Sequence, residues 1–355
     1  FKQKTAYEIG VRLVGSEMCI RDRIDAVKQR NVRSMSSLVC GILCALATSL
    51  TAGEVDSRRL INAAEEPENW LTYGGTYNAW RYSPLDQITR DNIEDLVPVW
   101  AFQPGTIKGG FSPTPLIADG IMYVAAPWNR IFALNAVTGK ELWHYYHPKP
   151  TDYDLIYPPT SRGVALSDGL VFIGTLDNRI LALDAETGEV VWNVEIESMK
   201  ECGCNITGAP IVVKDKVIVG VTGGDSAHRG YLNAFDTKTG KHAWRFWAIP
   251  GPGEKGNETW LGDSWKYGGG STWLTGSYDP ELNLLYWGVG NPAADFYGAS
   301  REGANLYTDS IVALDVDSGE LVWYYQAIPH DCLLYTSDAA DEGLGVDLGG
   351  RRMIK

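Results

Sequence analysis

Short apolar runs separated by turn signals recur along the chain. Ile131–Leu134 is one such run, and Thr138-Gly139 turns the chain before a second run at Glu141–Tyr146. Runs of this length between turn residues indicate strands, and glycine accepts the positive φ that tight turns need. Upstream, Asp119-Gly120 opens another hairpin into Met122–Ala125. This stretch therefore predicts about four antiparallel strands.

The same unit returns several times, each time closing on a tryptophan. It reads ALNAVTGKELW to Trp143, ALDAETGEVVW to Trp192, AFDTKTGKHAW to Trp244 and ALDVDSGELVW to Trp323, with EDLVPVW to Trp100 as a degenerate first copy. A repeat of this length is typical of propellers and solenoids. A single four-stranded sheet cannot bury both faces, whereas radial stacking of sheets can. We predict an all-β fold, a β-propeller of four-stranded antiparallel blades, with the repeated tryptophan packing one blade against the next.

Composition and charge narrow the function classes. The 39 Gly and 13 Trp among 355 residues agree with many turns and a repeated packing residue. The formal net charge of -13 repels phosphate backbones, so we expect no nucleic-acid partner. The sequence contains neither a zinc-type C-x-x-C pair nor a haem-type C-x-x-C-H motif.

The two ends differ from the body. Residues 1–23 and 332–355 resemble translated sequencing-adapter text, and we expect both to be non-native. In residues 24–52, basic Lys28, Arg30 and Arg33 precede the apolar run Leu38–Ala52. That run is too short to span a bilayer comfortably, and it predicts a signal peptide and export. The remaining segment, residues 53–331, is the expected partial propeller.

Sequence motifs that are more specific than the repeat lie between its copies. Thr207–Leu232 reads TGAPIVVKDKVIVGVTGGDSAHRGYL, Gly268–Trp273 reads GGGSTW, and Trp287–Pro292 reads WGVGNP. Together with the repeat, these segments resemble the methanol and ethanol dehydrogenases that depend on pyrroloquinoline quinone (PQQ). The resemblance runs from about Trp70 to Asp331. It implies an eight-bladed propeller, of which this chain carries about half.

The resemblance also assigns roles to individual positions. It implies that the quinone is held by Arg162, Thr207, Thr222, Gly223, Gly224 and Trp273, with Trp273 as the stacking floor. It implies a calcium or lanthanide ion bound by Asp225 and Asn291, where Asp225 replaces the family's longer Glu. Aspartate is a suitable hard-oxygen ligand, but its shorter stem requires the ion or the backbone to shift.

The resemblance implies a chemistry and a cellular setting. A primary alcohol is oxidised to an aldehyde by hydride transfer to metal-bound PQQ, and the electrons then pass to a cytochrome c. The metal and an arginine polarise a quinone carbonyl, while a carboxylate base removes the alcohol proton. Such an enzyme works in the periplasm, in agreement with the predicted signal peptide.

Three positions depart from the family pattern. Ile156 and Tyr157 stand where the family usually has adjacent cysteines, and Ser112 stands where it has a Glu that contacts the cofactor. The catalytic base is expected just after Asp331, but Pro329-His330-Asp331 is followed by CLLYT, which puts Leu334 at that position. We therefore assign no catalytic residue. We expect the chain as written, supplied with PQQ and calcium, to show no alcohol-dependent dye reduction.

Other interpretations stay open. Cys202 and Cys204 are read as free thiols or a labile pair, because a disulfide between residues so close in sequence is strained. A non-catalytic propeller scaffold of the cell envelope carries the same repeat, and a PQQ-dependent sugar dehydrogenase is a further alternative. Convergence on one central pocket favours the enzyme, and the residues that test it are Arg162, Thr207, Gly224, Asp225, Trp273 and Asn291.

Overall fold

Four separate antiparallel sheets, each of four strands, make up the regular structure of the described chain. The structure is a computed structural model that describes residues 54–107, 110–149, 158–225 and 228–332. Within each sheet the strand order follows the order along the chain, so every sheet is a simple meander. The predicted all-β fold with four-stranded blades is confirmed. The expected signal peptide and the adapter-like segment 1–23 lie outside the described residues, as do residues 333–355.

The strands have short, regular bounds. Blade 1 consists of β1 (Leu116–Ala118), β2 (Ile121–Ala126), β3 (Arg130–Asn135) and β4 (Glu141–Tyr146); blade 2 of β5 (Ala165–Ser167), β6 (Leu170–Gly174), β7 (Arg179–Asp184) and β8 (Val190–Glu195); blade 3 of β9 (Ile211–Val213), β10 (Lys216–Gly220), β11 (Tyr231–Asp236) and β12 (His242–Trp247); and blade 4 of β13 (Ser277–Asp279), β14 (Leu284–Val289), β15 (Ser310–Asp315) and β16 (Leu321–Gln326).

Helical structure in the described residues is limited to short segments. The two α-helices are α1 (Ser57–Ile61) and α2 (Met199–Cys202), and the 3₁₀ turns are Ala63–Glu65, Ile93–Asp95, Asn257–Thr259, Ser264–Tyr267 and Gly298–Arg301. None of the helices in the described ranges has the length and apolar character needed to cross a membrane.

The middle strands of each blade form the core. Ile180, Leu181, Ala182 and Leu183 of β7 are all fully buried. The fourth strand of each blade is more exposed, because it lies at the outer edge. An alanine of the third strand faces the repeated tryptophan, and a bulge follows one residue later; the pairs are Ala133–Trp143, Ala182–Trp192, Ala234–Trp244 and Ala313–Trp323. The small residue leaves room for the large ring beside it.

The indole of a repeated tryptophan donates a hydrogen bond to a turn of the next blade. We call this contact the tryptophan lock. The indole Nε1 of Trp143 donates to the Ala185 carbonyl at 2.9 Å, in the Thr-Gly turn of blade 2. A Cβ added to Gly188 in that turn would lie 2.5 Å from the Trp143 ring, so only glycine fits. The same bond joins Trp192 to Thr237 at 2.9 Å, Trp244 to Val316 at 2.9 Å and Trp100 to Ala136 at 3.2 Å. The predicted packing role of the repeated tryptophan is confirmed, including for Trp100, which precedes the first strand.

Because each blade is a meander, its connections alternate between the two ends of the blade. The turns that join first to second and third to fourth strands lie at one end, and they are short. The connections from second to third strand, and from one blade to the next, lie at the other end. We call this the loop end. It carries the long connections 221–230, 248–276 and 290–309, and it positions the site described next.

Candidate functional site

A single cavity of about 480 Å³ at the loop end brings together all eight residues that the sequence singled out. The residues that line it are Arg162, Thr207, Thr222, Gly223, Gly224, Asp225, Trp273 and Asn291, with Ser112, Pro158, Thr160 and Ser271 beside them. They come from five different connections, so the cavity depends on the packing of several blades. Their individual roles as cofactor or metal ligands stay predictions.

Arg162 and Thr207 join the entrances to blades 2 and 3. The Arg162 amide donates to the Thr207 carbonyl at 2.9 Å, and the Arg162 Nη1 donates to the Thr207 Oγ1 at 2.8 Å. The Arg162 carbonyl accepts from the Thr114 amide at 2.9 Å. Burial lowers the pKa of Arg162 below its ordinary value, but an arginine keeps its proton in proteins. A fixed cation therefore faces the cavity.

Trp273 presents its ring to the same cation. The Arg162 guanidinium carbon lies 4.3 Å from the centre of the Trp273 ring, within the range of a cation–π contact. The ring is neither fully buried nor fully exposed. A flat anion entering the cavity thus meets an aromatic face and a positive charge at the same place.

The segment Thr222 to Gly224 forms the back of the cavity. The Thr222 amide donates to the Asn205 carbonyl at 2.9 Å, and its hydroxyl donates to the Asn205 Oδ1. Both Thr222 and Asn205 are buried. A Cβ added to Gly224 would lie 2.7 Å from the Ser271 Oγ, so the two connections approach each other closely here.

Asp225, Asn291 and Asp295 form a cluster of oxygen-bearing side chains at the edge of the cavity. The Asn291 Nδ2 donates to the Asp225 Oδ1 at 3.1 Å and to the Asp295 Oδ1 at 3.0 Å. Burial, and then the nearby Asp225 carboxylate, raise the pKa of Asp295 to about 6. Two carboxylates held this close repel each other unless a proton or a cation lies between them.

Asp295 was missed by the sequence analysis. It lies four residues after Asn291 in the connection 290–309, just after the WGVGNP motif. The signal that could have found it is its position, since it is the first acid after the predicted metal ligand Asn291.

Arg301 is a second residue that the sequence analysis missed. It is 1% exposed, and its guanidinium donates to the Asn305 Oδ1 at 2.9 Å and to the Ala294 and Asp331 carbonyls. Arg301 thereby fixes the connection that carries Asp295 to the segment at which the family's catalytic base is expected.

Four positions of the sequence analysis remain: Asp331, Ile156, Tyr157 and Leu334. Asp331 is buried and is not among the residues that line the cavity, in agreement with the decision not to assign it as the base. Ile156, Tyr157 and Leu334 lie outside the described residues.

The reading of Cys202 and Cys204 as free thiols is wrong, since they form a disulfide with Cα atoms 5.1 Å apart. Gly203 between them takes a left-handed φ of 61° at the end of α2, which brings the two side chains together. This disulfide does not line the cavity, but the residue that follows it is Asn205, whose carbonyl accepts from the amide of the cavity residue Thr222.

Comparison with known proteins gives a consistent picture. The family model described as "Glucose/ethanol/alcohol dehydrogenase, beta-propeller domain" matches residues 70–343. The quinohemoprotein alcohol dehydrogenase ADH-IIG of Pseudomonas putida is 41% identical over 309 residues, covering 82% of this chain and 43% of that protein. Subunit 1 of the methanol dehydrogenase [cytochrome c] of Paracoccus denitrificans is 37% identical, covering 84% of this chain and 51% of that protein.

Solved structures agree with the sequence matches. A structure of ADHIIG from Pseudomonas putida superimposes with a TM-score of 0.74 at 40% identity, covering 80% of this chain and 43% of that one. A europium-containing methanol dehydrogenase gives a TM-score of 0.71 at 35% identity, covering 77% of this chain and 51% of that one. The chain spans about half the length of the relatives it matches.

Proposed function

Because the chain belongs to the β-propeller family of PQQ-dependent glucose, ethanol and alcohol dehydrogenases, we propose that it forms the cofactor-binding part of a quinoprotein dehydrogenase that oxidises a primary alcohol to an aldehyde. One observation carries this proposal: eight residues from five separate connections line a single cavity at the loop end. A non-catalytic scaffold of the same fold has no reason to bring these residues together, so the convergence favours the enzyme.

The cavity fits PQQ in size and in chemistry. Its volume of about 480 Å³ lies within the roughly 300–1,000 Å³ of small-molecule sites. PQQ is a flat tricarboxylate, and the cavity offers the Trp273 ring together with the positive charge of Arg162, whose guanidinium lies over one face of that ring. The guanidinium can donate two parallel hydrogen bonds to a carboxylate or to quinone oxygens. Thr207, Thr222 and the Gly223-Gly224 backbone complete the lining.

The cluster of Asp225, Asn291 and Asp295 fits a hard cation. Calcium and the lanthanides prefer carboxylate and amide oxygens, and this cluster offers two carboxylates and one amide. The Asn291 amide must turn so that its Oδ1 replaces its Nδ2, a rotation that the current hydrogen bonds do not prevent. Asp295 then supplies a carboxylate that offsets the shorter reach of Asp225 relative to glutamate. The europium in a structural relative supports testing a lanthanide as well as calcium.

When bound, PQQ would supply the two-electron acceptor for the alcohol, and the cation would supply a Lewis acid. The residues of this chain would orient the cofactor and polarise its oxygens. Arg162, held by Thr207, would place a fixed positive charge near the cofactor oxygens. Asp225 and Asp295 would balance the charge of the cation, and Arg301 holds the connection that carries Asp295. The base that would remove the alcohol proton is expected at position 334, which is a leucine in this chain and lies outside the described residues.

Electron transfer and localisation belong to the same proposal. We infer that a cytochrome c accepts the electrons and that the protein is exported to the periplasm. The naming of the Paracoccus denitrificans relative after cytochrome c supports the first inference, and the basic and apolar residues of segment 24–52 support the second.

PQQ binding tests the proposal directly. In calorimetric titrations with calcium present, the 355-residue chain should bind one PQQ, and Trp273→Ala should weaken binding about tenfold through loss of stacking. Trp80→Ala is the control, because Trp80 is 76% exposed and does not line the cavity. If the Trp273 and Trp80 variants bound PQQ with equal affinity, the cavity would not be the PQQ site.

Cation binding is tested separately. Tb³⁺ luminescence sensitised by nearby tryptophan should report one tight site, weakened about tenfold or more by Asp225→Asn and by Asp295→Asn. Asp263→Asn is the control, since Asp263 is an exposed acid paired with Lys266. If only Asp225→Asn has an effect, then Asp295 is not a ligand. If neither variant changes a tight Tb³⁺ site, the ion binds elsewhere.

A further inference from the structure

A second group of ligand-type side chains lies outside the cavity. Cys202, Cys204 and His228 are all buried, and one possible ligand atom from each lies within 4.8 Å of the other two. They come from the end of α2 and from the β10–β11 connection. None of the three lines the cofactor cavity, and the proposed function assigns none of them a role.

His228 is the unusual member of this group. Its side chain is 4% exposed, and its Nε2 has no hydrogen-bond partner among the described residues. Buried polar atoms nearly always have a partner, and each exception calls for an explanation. Burial lowers the pKa of His228 to about 4, so the imidazole is neutral at physiological pH and keeps a lone pair available to bind a metal.

The surroundings of the two sulphur atoms suit negative charge. The Asn178 Nδ2 donates to the Cys202 Sγ at 3.6 Å and to the Cys204 Sγ at 3.3 Å. The Tyr231 hydroxyl lies 3.5 Å from the Cys204 Sγ. The Arg245 guanidinium carbon lies 4.2 Å from the centre of the Tyr231 ring. The Asn178 amide and the Tyr231 hydroxyl are donors that would stabilise thiolates at this place, while the Arg245 charge is offset by Glu197, whose Oε2 lies 3.5 Å from the Arg245 Nη1.

We expect the fold to survive opening of the disulfide. The bond closes a loop of only three residues, and in the chain-entropy view so short a loop contributes little to stability. The segment that covers it, α2, is a single turn in which Lys200 and Glu201 are exposed. A short turn with little buried surface opens locally at low free-energy cost, which gives a reductant access.

We propose that reduction of the Cys202–Cys204 disulfide creates a binding site for one Cu⁺ ion, held by the two thiolates and the His228 imidazole. A dithiol reductant donates two electrons and two protons; the S–S bond breaks, two thiols form, and the reductant becomes a disulfide. Binding of Cu⁺ then releases both thiol protons. Soft thiolates select Cu⁺ or zinc, and three converging donors in a buried position suit three-coordinate Cu⁺ better than zinc, which requires four ligands.

Cu⁺ competition against a coloured chelator tests this site. The chain contains four further cysteines, so the background variant replaces Cys19, Cys40, Cys44 and Cys332 with serine. After anaerobic reduction and removal of the dithiol, this variant should withdraw one Cu⁺ per chain from bicinchoninate and develop a copper–thiolate absorption band. The oxidised sample, with the disulfide intact, should withdraw none.

Matched histidine variants isolate the role of His228. His228→Gln in the same background should weaken Cu⁺ binding by more than about 100-fold, because even partners outside the metal's own ligands are worth 10–100-fold. His144→Gln is the control, since His144 is an exposed imidazole paired with Glu141, and it should leave binding unchanged. Circular dichroism of each reduced variant verifies that the fold is retained.

Two outcomes would overturn the proposal. One is Cu⁺ binding of equal strength in the His228 and His144 variants while the fold is intact, which would leave a simple dithiol. The other is the absence of tight Cu⁺ binding in the reduced background variant. Because no PQQ is present in this experiment, its result does not depend on the proposed dehydrogenase function.

Discussion

Trp244 and Trp323 occupy the same position in consecutive blades, yet their surroundings differ. Both lie in the fourth strand, opposite an alanine and next to a bulge. Trp244 is 7% exposed and donates to the Val316 carbonyl of blade 4. Trp323 is 44% exposed, and among the described residues no blade follows it. It keeps only the contact within its own blade, with Tyr286 at 5.7 Å between ring centres.

This difference separates two effects that the sequence repeat combines. The hairpin that carries the tryptophan forms in both blades with the same register, so it does not depend on the neighbouring blade. Burial of the ring does depend on the neighbour. The repeat therefore encodes each blade locally, while the tryptophan lock stabilises the joint between two blades.

Alanine substitution of the two tryptophans should break the comparison most clearly. Trp244→Ala should lower the free energy of unfolding by about 3–5 kcal/mol, as for other buried aromatic residues. Trp323→Ala should lower it by about 1 kcal/mol or less, because half-exposed positions contribute little. Guanidinium denaturation followed by circular dichroism measures both values. Equal losses of unfolding free energy at the two positions would mean that the tryptophan ring stabilises its own hairpin and not the contact between blades.

Low pH should lower the stability of blade 3 more than that of blade 4, because the β10–β11 connection of blade 3 contains the buried histidine His228. Burial holds the pKa of His228 at about 4, against an ordinary value of 6.5. Below pH 6.5 the unfolded chain binds a proton that the folded chain takes up only near pH 4, so stability is present above this window and falls as pH falls through it. Between pH 7 and 4.5 the loss from this group is about 2 kcal/mol.

Histidine variants measure that contribution. His228→Gln should flatten the fall in stability between pH 7 and pH 4.5. His330→Gln, which changes an exposed histidine after blade 4, should leave the fall unchanged. Denaturation midpoints at four or five pH values suffice. A fall of the same size in the His228 and His330 variants would assign the acid sensitivity to other groups.

Two turn glycines give the smallest and most specific test. Gly319 has a φ of 74°, and an added Cβ would lie 2.5 Å from the Trp244 ring; Gly169 has a φ of 73°, with no atom within 4 Å of such a Cβ. Gly169→Ala therefore measures the backbone cost alone, about 1 kcal/mol. Gly319→Ala should cost about 1–2 kcal/mol more, because the methyl group displaces the indole. If Gly319→Ala cost no more than Gly169→Ala, the tryptophan lock would tolerate an added methyl group beside the indole.

Sequence reasoning was sufficient for the blades and for part of the site. The Thr-Gly turn and the closing tryptophan are local signals, so the four strands around Trp143 could be predicted from one stretch of chain. Residues such as Asp225 and Asn291 could be placed together only through the resemblance to a family, since 66 positions separate them.

The misses have one physical cause: they depend on conformations that a linear pattern does not specify. Asp295 lies near Asp225 in a connection that Arg301 holds through the Ala294 carbonyl. The Cys202–Cys204 disulfide requires the left-handed Gly203 between the two cysteines, and the sequence alone suggested strain instead. Both features come from backbone geometry in connections, where periodicity carries no information.

The tryptophan lock gives the assembly a direction. Each of the four described blades carries an indole on its fourth strand and a receiving turn that ends in glycine, Thr-Gly in three blades and Ser-Gly in blade 4, so neighbours join head to tail and never head to head. Any blade can in principle accept any other through the same joint. Duplication of one blade-length stretch of the gene would therefore yield a new subunit of the wheel that already fits on both sides, which makes lengthening by whole modules easier than lengthening by single strands.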